Sequence, residues 1–199
     1  MGNIGIIGRA RVGKDTTGKW LVDNRGYRRV AFADALKDAA LTLNPIIADH
    51  GDDMGPDYYR LSDIVRDYGW EQAKESHEVR RTLQELGMAI RAIDPEFWLR
   101  AALAKVTEAN ESGVPAVITD VRFPNEADRL RRAGFHLVYI DRPGVPQLDH
   151  ASEGALTAAD AEYWIENDGG VGDLHESLSV IYDRIERSES RRHYARSLG

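Results

Sequence analysis

The chain contains no cysteine among its 199 residues. Disulfides are therefore excluded, and a structural zinc site would need an unusual, thiolate-free set of ligands. No apolar run approaches the ~18 residues needed to cross a bilayer. The chain enters directly on an apolar stretch, Ile4-Gly5-Ile6-Ile7, without the charged and apolar regions of a secretory leader, so a cytoplasmic location is the default expectation. Positive charge is in deficit, with 26 Lys and Arg against 33 Asp and Glu and a net charge of −7. That balance argues against a general affinity for nucleic acid or an anionic membrane. Repeats and long linkers are also missing. Hydrophobic content of 42% and charged content of 30% are ordinary. One α/β domain over 1–199 is expected, with an inserted substrate or dimer segment around 45–78.

What is present centres on Gly8-Arg9-Ala10-Arg11-Val12-Gly13-Lys14-Asp15-Thr16-Thr17. An apolar strand leads into it, and Lys19-Trp20-Leu21-Val22 continues from it without a breaker. Strand, glycine loop and helix follow one another as a P-loop requires. Two glycines let the backbone curl so that successive N–H groups face phosphate oxygens. Lys14 adds a point charge, and the helix N-terminus adds its partial positive charge. The spacing G-x-x-x-x-G-K is complete. The next position, commonly a Ser or Thr that ligates Mg²⁺, is Asp15, with hydroxyls following at Thr16 and Thr17. A carboxylate beside a polyphosphate is repelled unless a metal intervenes or the side chain turns away. Asp15 and Thr16 are thus candidate metal residues.

Further along, strand and helix signals alternate. A strand is expected over Arg28–Phe32, then a helix from Ala35 to Leu43 with Asp34 as N-cap and Asn44-Pro45 as stop. An Asp- and Gly-rich stretch over 48–56, with Asp49, Asp52, Asp53 and then Asp57, reads as a solvated loop. Leu61, Ile64, Val65 and Tyr68 mark a short helix. Val79, Leu83, Leu86, Ile90 and Ile93 form one apolar helical stripe, while Arg80, Gln84, Gly87 and Arg91 share another face. Asp94-Pro95 opens a helix running to Gly113. Pro115–Arg122 reads as an apolar strand ending in Asp120, the form of a Walker B acid able to hold Mg²⁺. A helix over Asn125–Arg132, a strand over Phe135–Ile140, and a turn at Asp141–Gly144 follow. A strand at Tyr163–Ile165, a turn at Asn167–Gly170 and an amphipathic helix through Leu174, Leu178, Ile181 and Ile185 come last, with a frayed basic tail from Arg191.

Five strands separated by helices predict a parallel five-stranded sheet with helices on both faces, a P-loop NTPase fold of the nucleoside monophosphate kinase type. The ligand rule for such sheets puts the site at the carboxyl ends of the strands. The P-loop, Ala33–Lys37, Asp120–Arg122 and Asp141–Gly144 gather there, as phosphoryl transfer requires.

Gly13-Lys14-Asp15-Thr16-Thr17 resembles the loop of bacteriophage deoxynucleoside monophosphate kinases. Four more blocks are similar to that family in the same order: Phe32–Asp38; Arg80–Gly87; Asp120-Val121-Arg122 with Asn125-Glu126; and His150-Ala151-Ser152-Glu153 with Ile165–Gly169 and Asp173-Leu174. The resemblance implies ATP-dependent phosphorylation of a deoxynucleoside monophosphate, Mg²⁺, and often a homodimer. Members often carry lysine where this chain has Ala10, and here Arg9 and Arg11 flank that position. The segment from Asp49 to His77 is shorter than in larger members.

On this reading ATP meets Arg11, Val12, Gly13, Lys14, Asp15, Thr16 and Thr17, with Asn167 and Asp168 near adenine. Ala10, Leu36, Lys37, Arg80, Arg81, Gly87 and Trp98 belong to the acceptor side. Lys14, Arg81, Asp120 and Arg122 are the catalytic candidates, and Asp120 joins Asp15 and Thr16 as a metal candidate. Lys37 and an arginine bind the acceptor phosphate. Adjacent helical positions diverge by about 100°, so Arg80 and Arg81 do not both face it. The resemblance favours Arg81, and the face shared with Gly87 favours Arg80. Two alternatives keep the P-loop: a kinase for another phosphorylated acceptor, such as phosphomevalonate or a coenzyme A precursor, and a non-catalytic ATP-binding regulator.

Overall fold

A computed structural model describes residues 2–49, 57–146 and 155–197. The expected loop over 50–56 and the His150–Glu153 block lie outside the described residues. The chain divides into two compact units, one of Met1–Ala31 with Leu103–Gly199 and one of Phe32–Ala102.

The first unit is built on a sheet of β1 (Ile4–Ile7), β2 (Arg28–Val30), β5 (Ala116–Val121), β6 (His136–Asp141) and β7 (Tyr163–Glu166), in the order β2-β5-β1-β6-β7. All its pairings are parallel, as expected. β1 is central and fully buried, which explains why it reads as a continuous apolar run and not as an alternation. Successive β1 residues serve opposite faces. Ile4 and Ile6 pack with Val117, Val138, Ile140 and Ile165 under Leu21 of α1 (Lys14–Arg25) and under Leu174, Leu178, Ile181 and Ile185 of α7 (Val171–Ser197). On the other face a side chain at Gly5 would strike Leu137 and meet Leu130 of α6 (Pro124–Arg132) at 3.3 Å. Helices thus cover both faces, and the missing side chain at Gly5 is what lets α6 approach.

The basic tail is not frayed. α7 stays helical through Ser197, because Glu189 docks on His136, a fully buried side chain whose other ring nitrogen lies 2.8 Å from Glu162. The link between Glu189 and His136 bridges 53 positions of sequence, beyond the reach of any local pattern.

The second unit holds α2 (Phe32–Leu43), the antiparallel pair β3 (Ile46–Asp49) and β4 (Asp57–Arg60), α3 (Leu61–Ala73), α4 (His77–Ile93) and the start of α5 (Phe97–Glu111). α2 begins two residues before Asp34, so Asp34 lies in its first turn instead of capping it. The β3–β4 pair replaces the edges of the expected loop. Its strands are four residues each and β4 is exposed throughout, so neither carries the alternation that announces a half-buried strand. α3 is longer than expected and kinks at Gly69, whose φ of 73° breaks the helix. The α4 stripe packs through Val79, Leu83 and Leu86 against Leu61, Ala40 and Ile47, but its last member, Ile93, is exposed. Asp94 ends α4, accepts from the Glu96 N–H and pairs with Arg100. The α5 helix starts at Phe97, two residues after the expected proline position.

Candidate functional site

The loop between β1 and α1 is shaped by three unusual backbones. Gly8 has φ 152°, and a side chain there would collide with the Ile140 carbonyl of β6. Gly13 has φ 107°, with Asn167 Nδ2 standing 2.8 Å from where a Cβ would sit. Arg11 takes φ 64° without being glycine, a conformation that costs roughly 1 kcal/mol and marks a constrained turn. Val12, between them, buries its side chain in the core above β1.

Asn167 closes the structure from the other side. It is buried, its backbone N–H donates to the Asp141 carbonyl (2.7 Å), and its side-chain amide donates to the Val12 carbonyl (2.9 Å). The end of β7 thus holds the loop onto the end of β6. Sequence reasoning put Asn167 beside adenine; its amide nitrogen is instead bonded to the loop. Asp168, next to it, is exposed. The Asp173 carboxylate accepts from the Gly170 N–H (2.7 Å) and caps the start of α7.

The charges divide clearly. Arg9 donates to Asp141 (2.8 Å), so it is committed to the sheet edge. Arg11 is exposed and has no ion-pair partner among the described residues; of the two arginines flanking Ala10, it is the one available to a ligand. Lys14 is half-buried and its ammonium donates to the Arg9 carbonyl of its own loop. Asp15 turns away: its side chain is 91% exposed and lies 3.9 Å from Arg29 on β2. Thr16 is half-buried, while Thr17 is buried and its hydroxyl has no hydrogen-bond partner among the described residues. Thr17 therefore serves the loop through its backbone, whose N–H donates to Gly13.

Beside β1, Asp120 is half-buried in β5, one residue from its carboxyl end, and Arg122 follows with an exposed side chain. Glu126, buried in the first turn of α6, accepts from the backbone N–H groups of Arg122 and Phe123 at 2.9 and 3.0 Å. It fixes the chain immediately after Asp120, a role for which the capping spacing is the only sequence signal.

Among the described residues no cluster of three or more His, Asp or Glu could hold a metal by itself. Mg²⁺ at a polyphosphate needs only one or two protein oxygens, because phosphates supply others. Asp120 and the Thr16 hydroxyl fit such a role. Asp15, aimed at Arg29, does not.

In the second unit several of the acceptor-side candidates are neighbours. The position of a Gly87 Cβ would be 3.4 Å from Leu36, and Trp98 Nε1 donates to the Gly87 carbonyl at 3.2 Å. Leu36, Gly87 and Trp98 form one cluster. Lys37 places its ammonium over the Trp70 ring, 5.4 Å from its centroid. Arg80 lies seven residues before Gly87, hence on the same helical face, and is exposed. Arg81 is directed elsewhere and paired with Glu78 at 2.6 Å and Glu85 at 3.2 Å. The nearby carboxylates hold the Arg81 guanidinium more firmly protonated than usual, chiefly through the Glu78 bond.

A central parallel strand feeding a glycine loop and helix, with an acid on the adjacent strand, defines a P-loop kinase. The unliganded structure of a sugar kinase from Janibacter sp. HTCC2649 shares this fold at TM-score 0.50 and 16% identity, covering 92% of this chain and 95% of that one. Within that class the chain belongs to the deoxynucleotide monophosphate kinase family, whose family model matches residues 40–178. A protein of Acanthamoeba polyphaga mimivirus named "Putative deoxynucleotide monophosphate kinase" is 31% identical over 174 residues, 75% of this chain and 79% of that protein. An uncharacterised protein, ORF77, of Ictalurid herpesvirus 1 (strain Auburn) is 42% identical over 107 residues, 51% of this chain and 47% of its own length. The matched family region begins after the phosphate loop, so loop and family are independent lines of support.

Proposed function

We propose that the protein transfers the γ-phosphate of ATP to a deoxynucleoside monophosphate, giving ADP and the diphosphate. The observation that carries this reading is the built phosphate loop of a chain whose family is defined by that acceptor. In this reading the loop N–H groups, Lys14 and Arg11 receive the ATP phosphates, while Leu36, Lys37, Arg80, Gly87 and Trp98 receive the acceptor. Attack by one polyanion on another is limited by repulsion and by charge developing on the transferred group. Lys14, Arg11 and Arg122 cancel that charge. A phosphate oxygen is already a nucleophile, so no general base is needed. Mg²⁺, held by Asp120 and Thr16 together with the phosphates, would supply further charge neutralisation. Asn167 and Glu126 act by holding the loop and the Asp120–Arg122 segment in place.

The test is an acceptor panel with γ-labelled ATP, comprising the four deoxynucleoside monophosphates, their ribose counterparts, phosphomevalonate and a coenzyme A precursor. Label should move to at least one deoxynucleoside monophosphate in preference to the others. Transfer only to a non-nucleotide acceptor would reassign the pocket, and tight ATP binding without transfer to any acceptor would make the chain a nucleotide-binding regulator.

A further inference from the structure

Several exposed arginines of this chain are neutralised on their own helices or close by. Arg66 pairs with Asp63 and Asp67, Arg81 with Glu78 and Glu85, Arg100 with Asp94, and Arg131 with Asp128. The outer half of α7 instead gathers three arginines, unpaired among the described residues, on one face. Arg184, Arg187 and Arg191 stand at i, i+3 and i+7, on one face over about 10 Å of helix axis. All three are exposed, and none forms an ion pair with a carboxylate among the described residues. Arg187 spends its Nε on the Asp183 backbone carbonyl, not on the side chain.

Two acids close to this face are used inward. Glu162 and Glu189 both turn onto buried His136, and Glu189 also takes Arg192. What remains is a groove of about 540 Å³ lined by Tyr163, Arg184, Arg187, Ser188, Arg191 and Arg192. Tyr163 lines the same groove as these arginines. The whole groove lies in the first unit, on residues to which the proposed kinase chemistry assigns no part.

We infer that this groove is a second, non-catalytic polyphosphate-binding site, with Arg184, Arg187 and Arg191 bonding phosphate oxygens and Ser188 adding a hydroxyl. Three guanidinium forks on one face present paired donors along a line, which suits a chain of phosphates better than a single anion. A chain of net charge −7 has no bulk attraction for polyanions, so the local cluster must act alone. The same chemistry is offered by free polyphosphate and by a nucleoside triphosphate, and Tyr163 at the edge provides a ring against which a base could stack.

The experiment uses the full chain carrying Lys14→Ala, which weakens the phosphate loop, and inorganic tripolyphosphate as the calorimetric probe. One site per chain should persist, and its affinity should fall steeply with salt. Adding Arg184→Gln, Arg187→Gln and Arg191→Gln, which retain helix propensity, should weaken it about tenfold or more. The same three changes in the otherwise native chain should leave turnover at saturating substrates unchanged. Tighter binding of dATP than of tripolyphosphate would identify a nucleotide site using Tyr163, and equal binding would identify a phosphate-only site. Unchanged affinity in the triple variant overturns the inference, as does loss of all tripolyphosphate binding with Lys14→Ala alone. A 20-nucleotide single-stranded DNA that binds the face more tightly than tripolyphosphate would overturn it in favour of a nucleic-acid contact.

Discussion

The Asn167 side chain donates a 2.9 Å hydrogen bond to the carbonyl of Val12 from 155 positions away in sequence. It ties the last strand of the sheet to the loop that follows the first. Val12 is itself locked by burial, so the phosphate loop is held from beneath by packing and from the side by one amide. The loop is therefore preorganised before any ligand arrives.

Replacing Asn167 by alanine should leave the Val12 carbonyl without its partner in a buried site, a loss of about 1–3 kcal/mol. KM for ATP should rise roughly five- to hundredfold, with KM for the acceptor little changed. Steady-state kinetics with each substrate varied in turn checks this. An equal rise in both constants would mean that the amide supports the fold generally.

Lys14→Ala should lower turnover by about two to three orders of magnitude. The ammonium donates to the carbonyl of its own loop, and far-UV circular dichroism and the melting midpoint should be close to those of the native chain. Near-normal turnover in a folded variant would remove the phosphate-loop assignment.

Asp15 faces Arg29 and solvent. Asp15→Ser should accordingly leave the Mg²⁺ concentration giving half-maximal rate unchanged, with a stability loss of about 1 kcal/mol or less from the helix N-terminus. A Mg²⁺ titration of initial rate decides the matter, and a shifted optimum would place the carboxylate on the metal.

Arg80 and Arg81 differ by one position and should differ in kind. Arg80→Ala should raise KM for the deoxynucleoside monophosphate about ten- to hundredfold through loss of a charge-assisted contact. Arg81→Ala should change it little, because that guanidinium is paired with Glu78 and Glu85. The opposite result would show those surface pairs to be exchanged for the acceptor phosphate on binding.

Tyr27 donates to the Gly2 carbonyl at 2.7 Å, and burial, reinforced by Tyr182, Glu186 and Glu189, raises its pKa above the ordinary 10.0. A folded pKa above the unfolded one gives stability that is complete below pH 10 and lost as pH rises beyond it. The unfolded phenol ionises first, at about 1.4 kcal/mol per pH unit for one proton. Tyr27→Phe should cost about 1 kcal/mol at pH 7 and show a shallower fall in unfolding free energy from pH 10 to 11.5, measured in urea.

The parts of the fold that local chemistry dictates were legible in the sequence. Gly8, Gly13 and the apolar run before them announce the loop, and the sheet strands other than β2 (Arg28–Val30) are continuous or nearly continuous apolar segments. Leu36, Gly87 and Trp98 were assigned together and do meet. The features that escaped depend on distant partners. β3 and β4 are short and exposed on β4, so each gains definition only from the other. The last turns of α7 look like a basic tail until Glu189 finds His136. Asn167 read as a turn residue because its partner is Val12, and Asp15 read as a metal residue because Arg29, on a different strand, is invisible from the loop.

The central place of β1 also sets the order in which the molecule can assemble. Its two neighbours are β5 and β6, and the Asn3 side chain accepts from Ala116, 113 residues downstream. At typical synthesis rates the first strand emerges on the order of ten seconds before its earliest pairing partner. Local contacts cannot satisfy it in the meantime, and such long-range parallel pairing is intrinsically slow. The phosphate loop is thus synthesised well before the strands that shape it and is among the last segments to acquire its shape. A nascent chain stalled before β5 would present Ile4, Ile6 and Ile7 unpaired, making that stretch a natural target for chaperone capture.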